Sequence, residues 1–148
     1  MALISGLNET FLVMNGDVLT TIDYTALIAA HRRSGALATI ATHRRDVRID
    51  LGVIETEASG RLTDYIEKPI YHYRVSMGIY IFEPAALGYI PQGQRFDFPE
   101  LILRLLAAGQ PVQSFPFDGY WLDIGRPDDY EQAIDEFERL KDQFLPES

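Results

Sequence analysis

Phe11-Leu12-Val13-Met14-Asn15-Gly16-Asp17 sets the fold class. Four consecutive apolar residues end at a turn-forming Asn-Gly-Asp, the pattern of a buried parallel strand that stops where the chain reaches the surface. Beyond it, Asp23 is placed to cap a helix running to about Ser34, Gly35 supplies the stop, and residues 36–42 read as the next strand. Strand, helix, strand makes a βαβ unit, whose crossover is expected to be right-handed.

Further along, residues 52–56, 61–67 and 75–82 are strand candidates with little room for helix between them. Ala58-Ser59-Gly60 predicts a hairpin turn between the first two, with Val53 and Ile54 packing against Leu62 and Tyr65. Residues 69–74 read as a loop by composition. Glu83-Pro84 opens a short helix ending near Ile90, and Asp97 with Glu100 forms a capping-box pattern ahead of a helix whose stripe Phe98, Leu101, Ile102, Leu105 and Leu106 is core. Residues 112–117 and 120–124 read as two strands joined as a hairpin at Asp118-Gly119. A final helix starts at Pro127, with Asp128 and Asp129 in its first turn and Tyr130, Ala133, Ile134, Phe137, Leu140 and Phe144 on one face. No repeat, linker or second domain is evident, so residues 1–148 are expected to form a single α/β domain, a mixed sheet flanked by helices.

At 148 residues the chain is long enough for a sizeable core. Its net charge of −9 disfavours nucleic acid as a partner. No cysteine occurs, which excludes disulfides and thiolate metal sites. The segment from Met1 to Gly6 lacks the basic and long apolar runs of a signal peptide, and no window reaches membrane-spanning length. These features fit a soluble cytoplasmic protein with no membrane partner.

Ligands of open α/β sheets gather beyond the carboxyl ends of strands. Asp17, Glu67-Lys68 and Asp123 stand there, and two carboxylates at strand ends suit a hard cation such as Mg2+. Each residue also has a plain structural reading. Asp17 completes a turn, Lys68 is a solvated strand-end cation, and Asp123 either faces outward or, between Leu122 and Ile124, sits where an unpaired acid is expensive. His31, His43 and His72 show no metal-ligand spacing and read as surface or loop residues. Ser76 and Ser114 lack a glycine elbow, and neither a P-loop nor Gly-x-Gly-x-x-Gly is present.

Five segments resemble, in order, the sugar-1-phosphate nucleotidyltransferases. They are the opening stretch through Asp17, Gly52-Val53-Ile54-Glu55, Ile66-Glu67-Lys68-Pro69, Met77-Gly78-Ile79-Tyr80-Ile81-Phe82 and Gly119-Tyr120-Trp121-Leu122-Asp123-Ile124-Gly125-Arg126-Pro127. The similarity spans about residues 7–140 and is nearest to bacterial mannose- or glucose-1-phosphate enzymes. It implies a partial Rossmann-like nucleotidyltransferase fold. It further implies a reaction in which a sugar 1-phosphate and a nucleoside triphosphate give an NDP-sugar and pyrophosphate.

By the same resemblance, Asp17 and Asp123 are the two aspartates that hold Mg2+, and Lys68 grips the sugar phosphate. Glu67 accepts hydrogen bonds from sugar hydroxyls, Gly52 leaves room for the sugar, and Ser76 lies beside it. Tyr120 and Trp121 pack around Asp123. Val75-Ser76-Met77 departs from the commoner Asn-containing forms, which leaves the sugar open. The N-terminal nucleotide-binding part, a glycine-rich segment with Arg and Lys, is missing from these 148 residues. The expectation is a truncated transferase, inactive alone and forming a homo-oligomer through surfaces the absent part would cover. A non-catalytic sugar-phosphate-binding or subunit-pairing module is the alternative.

Overall fold

A computed structural model of the protein describes residues 6–91 and 93–145. Residues 1–5, part of the segment with no signal-peptide pattern, lie outside the described residues. In chain order the elements are β1 (Phe11–Met14), β2 (Val18–Thr20), α1 (Tyr24–Ser34), β3 (Ala38–Arg48), β4 (Gly52–Thr56), β5 (Leu62–Glu67), β6 (Ile70–Phe82), a 3-10 helix (Pro84–Tyr89), α2 (Phe98–Ala107), β7 (Val112–Phe117), β8 (Trp121–Asp123), α3 (Pro127–Arg139) and α4 (Lys141–Phe144). They form two compact units, a larger one up to His43 and again from Ser76, and a smaller one of residues 44–75.

The larger unit is built on a mixed sheet with strand order β1-β6-β3-β7. β3 and β7 are parallel, with Ala38 opposite Val112 and His43 opposite Phe117. β1 runs antiparallel to β6, from Phe11 opposite Phe82 to Met14 opposite Ile79. The parallel, fully buried strand expected at residues 11–14 is therefore an antiparallel, half-buried edge strand. An unbroken apolar run signals burial but carries no information on strand direction.

β6 is the centre of the core. Met77, Ile79 and Ile81 pack with Ile22, Leu27 and Ala41. Tyr80 and Phe82 pack with Ala38, Ala86, Leu101, Ile102 and Leu105. Alternation along a strand sends successive side chains to opposite faces, so α1, through Leu27, covers one face and α2, through Leu101 and Leu105, the other. Both helices begin where their caps predict. The Asp23 carboxylate accepts the Ala26 amide at 3.0 Å, and the Asp97 carboxylate accepts that of Glu100 at 2.9 Å. Gly35 ends α1 with φ 64°, a left-handed conformation that glycine adopts without steric cost.

Two expectations are overturned. β7 and β8 do not form a hairpin, because β7 lies against β3 while β8 pairs antiparallel with β2. The Asp118-Gly119 pair is a local signal, whereas the open edge of β3 satisfies six residues of β7 against three that β8 could offer. Residues 70–74 are not a loop but the start of β6, where Ile70, Tyr71, Tyr73 and Val75 favour extended backbone. Pro69 ends up just ahead of the strand, a place where its missing N–H is harmless.

The smaller unit contains the predicted hairpin. β4 and β5 pair antiparallel with Gly52 opposite Glu67, Val53 opposite Ile66 and Ile54 opposite Tyr65. Gly60 turns the chain with φ 84°. Nearby, Asp46 accepts from His72 Nδ1 at 2.7 Å and from Arg44 Nε at 3.0 Å, and these bonds hold its carboxyl below the usual carboxylate range.

His31 is not a surface residue. It is 1% exposed within α1, with Nδ1 2.7 Å from Thr39 Oγ1 and Nε2 3.0 Å from Glu83 Oε1. Glu83 Oε1 also accepts the Thr10 hydroxyl at 2.7 Å. The network fastens α1, β3, the exit of β6 and the entry to β1 to one another, and a helical pattern cannot show which polar residue will be satisfied inside. No described helix is long and apolar enough to cross a membrane.

The Thr10 hydroxyl and then His31 lower the Glu83 carboxyl below its ordinary value. A depressed acid contributes stability above its unfolded pKa and loses it as pH falls through its folded one. Urea midpoints are therefore expected to drop between about pH 5 and about pH 3. Glu83→Gln flattens that drop; a variant with the same acid limb as the wild type would show that the network does not carry it.

Candidate functional site

Asp17 lies between β1 and β2, in a turn fixed by β6. The Asn15 amide donates to the Gly78 carbonyl at 2.9 Å. Gly78 has φ +74°, and a Cβ there would stand 2.7 Å from Asn15 Nδ2. The one residue of the buried half of β6 without a side chain is thus where the Asn15-Gly16-Asp17 turn rests.

Asp123 reaches the same place from the other end of the chain. β2 and β8 align Val18 with Asp123, Leu19 with Leu122 and Thr20 with Trp121. One step further, the Ile124 amide donates to the Asp17 carbonyl at 2.8 Å. The Trp121 indole N–H donates to the Met77 carbonyl at 3.2 Å and its ring lies 5.4 Å from that of His43, so Trp121 braces the β8 strand against the larger unit's core.

Asp17 and Asp123 thereby have their backbones on adjacent rungs of a two-stranded ribbon. Both are exposed, and neither carboxylate has an ion-pair or side-chain hydrogen-bond partner among the described residues. The outward-facing reading of Asp123 is the correct one, and the cost of burying an acid does not arise there. No group of three or more His, Cys, Asp or Glu side chains is arranged for a metal ion among the described residues. Two oxygen donors in water are a fitting partial set for Mg2+, which keeps several waters and takes other ligands from phosphate. Ser76 is also in the larger unit, where its hydroxyl donates to Tyr80 Oη at 3.1 Å and accepts the Gly78 amide at 3.3 Å.

The smaller unit brings Gly52 and Glu67 face to face across the hairpin. Lys68 follows, exposed, with φ 46°, the only non-glycine residue of positive φ among those described. Such a backbone is uncommon for a long side chain and marks the tight turn from β5 into β6. Tyr65, read from the sequence only as a hairpin hydrophobe, donates its hydroxyl to Glu67 Oε2 at 2.8 Å. Its ring fills the space a side chain at position 52 would occupy. Alternation along β5 places residues 65 and 67 on one face, which is the signal that links them; nothing local announces the contact with Gly52.

Comparison with known proteins identifies the family. The family model described as nucleotidyl transferase matches residues 2–139. A UTP–glucose-1-phosphate uridylyltransferase of Synechocystis is 38% identical over 134 residues, covering 86% of this chain and 34% of that protein. Mannose-1-phosphate guanylyltransferase 1 of Arabidopsis thaliana is 31% identical over 135 residues, covering 86% and 36%. The crystal structure of HddC from Yersinia pseudotuberculosis superposes with a TM-score of 0.58 at 22% identity, over 91% of this chain and 57% of that one. Its complex with GMP-PN gives 0.56 at 20%, over 87% and 56%. The chain spans about a third of the length of the curated relatives it matches.

Replacing Gly78 tests the support beneath Asp17. Gly78→Ala is expected to lower unfolding stability by about 1–3 kcal/mol, since it combines a left-handed backbone with a crowded Cβ. Gly88, whose Cβ would meet nothing within 4 Å, is the control and is expected to tolerate alanine. Equal urea midpoints for the two variants would count against the close fit at Asn15.

Proposed function

The chain belongs to the nucleotidyl transferase family, and from that premise we propose that it carries the sugar-phosphate- and metal-binding portion of a sugar-1-phosphate nucleotidyltransferase. The observation that carries this reading is that the pairing of β2 with β8 brings the backbones of Asp17 and Asp123, two exposed acids without an ion-pair partner among the described residues, to adjacent rungs of one ribbon. Acids left without a counter-charge at adjacent strand ends favour a divalent cation. Relatives named as uridylyl- and guanylyltransferases of hexose 1-phosphates support the substrate class.

In this reading Asp17 and Asp123 would hold Mg2+, which would supply charge shielding for the reacting phosphates. Lys68 presents a flexible cation to the phosphate of the sugar 1-phosphate. Glu67 accepts hydrogen bonds from sugar hydroxyls, with Gly52 and Ser76 contributing to the sugar's surroundings. A phosphate oxygen of the sugar 1-phosphate attacks the α-phosphorus of the triphosphate, pyrophosphate leaves, and an NDP-sugar forms.

The 148 residues contain no glycine-rich segment with the Arg and Lys needed to cradle a triphosphate. Preorganised charge at the transferring group is usually the largest catalytic contribution, so the chain by itself is proposed to bind without transferring. Calorimetry is expected to show binding of glucose 1-phosphate or mannose 1-phosphate that strengthens with Mg2+, an increment lost in Asp17→Asn and Asp123→Asn. Pyrophosphate release is expected to be absent with any nucleoside triphosphate. A Mg2+ effect surviving both substitutions would remove the metal assignment, and pyrophosphate formation would remove the proposal of a binding-only chain.

The open edge of β1, together with Tyr130 and Ile134 exposed on α3, supports self-association. Sedimentation is expected to give a dimer or larger species, and a monomer at all concentrations would refute it.

A further inference from the structure

The bare backbone at Gly52 is covered, and the group that covers it also holds Glu67. The Tyr65 ring occupies the volume of a Cβ at Gly52, and its hydroxyl donates to Glu67 Oε2 at 2.8 Å. Gly52 and Glu67 are partners across the β4–β5 ladder, and Tyr65 lies two residues before Glu67 on the same face of β5. One side chain thus takes both things that a sugar at this hairpin would need, the open space over residue 52 and a lone pair of the residue 67 carboxylate.

We propose that Tyr65 is a specificity residue of the sugar subsite, its hydroxyl taking the place of the sugar hydroxyl that Glu67 accepts. The inference rests on the reading of Gly52 and Glu67 as sugar contacts.

Packing does not trap the ring. Tyr65 is 56% exposed, so its position is set by the absence of a side chain at residue 52 and by the bond to Glu67. Both attachments break with a rotation about the side chain, at the cost of one exposed hydrogen bond. A sugar entering the subsite restores that bond to Glu67 with its own hydroxyl. The displaced ring stays tethered beside the subsite, where its apolar face can cover the C–H face of the sugar while its hydroxyl returns to water.

The hydroxyl and the ring of Tyr65 therefore act in opposite directions. The hydroxyl competes with the sugar for Glu67, and the ring adds contact once the sugar is bound. Neither bears on a bare phosphate ion, which has no use for the face of Gly52. This separation distinguishes a sugar-selecting role from a structural one, because a general loosening of the hairpin would weaken phosphate and sugar phosphate together.

The test is calorimetry on the whole chain in Mg2+, with glucose 1-phosphate, mannose 1-phosphate and inorganic phosphate as probes. Tyr65→Phe keeps the ring and deletes the competing bond, so it is expected to bind at least one sugar phosphate about threefold to tenfold more tightly than the wild type. Tyr65→Ala, lacking the ring contact, is expected to bind that sugar phosphate more weakly than Tyr65→Phe, while inorganic phosphate binds all three proteins alike. If the wild type binds a sugar phosphate and Tyr65→Phe binds it equally or less well, the stand-in role is wrong while the functional reading survives. If the wild type binds neither sugar phosphate, the functional reading fails and this inference falls with it.

Discussion

Burial of β6 on both faces is the constraint from which the larger unit follows. From Met77 to Phe82 every residue is buried, and the side chains alternate between two clusters. Each large apolar side chain removed from water contributes about 1.5–3 kcal/mol, so a strand used on both sides outweighs any single helix contact. Such a strand must have a covering layer on each face and a neighbour on each edge, which α1, α2, β1 and β3 provide. The same strand reaches the candidate metal site at two points. The Gly78 carbonyl holds Asn15, and the Met77 carbonyl holds the Trp121 indole. The position of the two aspartates is therefore an extension of the core.

That dependence explains how a ribbon as short as β2–β8 persists. Two strands of three residues are marginal alone, since their few hydrogen bonds barely offset the chain entropy lost on pairing. Residues about a hundred positions apart must also meet, which adds loop-closure entropy before any bond forms. The braces come from outside the ladder. Thr20 Oγ1 donates to the Tyr120 carbonyl, the Tyr120 amide donates to Thr21 Oγ1, and Trp121 is fixed against Met77 and His43. Hydroxyls at positions 20 and 21 thus do what additional strand residues would do in a longer sheet.

What could be read from the sequence was local, and what could not was pairing. Asp23, Gly35 and Asp97 mark helix ends because a cap satisfies amides within three residues of itself, and Gly60 marks the hairpin for a similarly short-range reason. The Asp118-Gly119 signal was just as local and misled, because β7 found a longer partner in β3 than β8 could be. Residues 70–74 were hidden by the charged and polar residues around them, Glu67, Lys68, His72 and Arg74, and by Pro69, although Ile70, Tyr71 and Tyr73 favour a strand. His31 shows the limit most plainly. Its partners Thr39 and Glu83 lie 8 and 52 positions away, and only the folded chain supplies them. That residues 17 and 123 belong to one ribbon was suggested by the resemblance alone, since nothing in either strand's periodicity points to the other.

Exposure of the two aspartates changes the energetic argument about them. Had Asp123 been buried, its tolerance would have demanded a permanent counter-charge, and the fold would have depended on a bound cation for stability. In water even two carboxylates in close approach repel by only about 1 kcal/mol, small beside the contribution of β6. The fold can therefore hold both acids ready without any ion. This separates stability from ligation. The core positions Asp17 and Asp123 through Gly78 and Trp121, and their unused charge is left to act on whatever arrives. Asp46, by contrast, spends its charge on Arg44 and His72, and Glu83 spends its own on Thr10 and His31. An acid already matched inside the protein has little attraction left for a cation, whereas Asp17 and Asp123 are among the acids whose charge remains available.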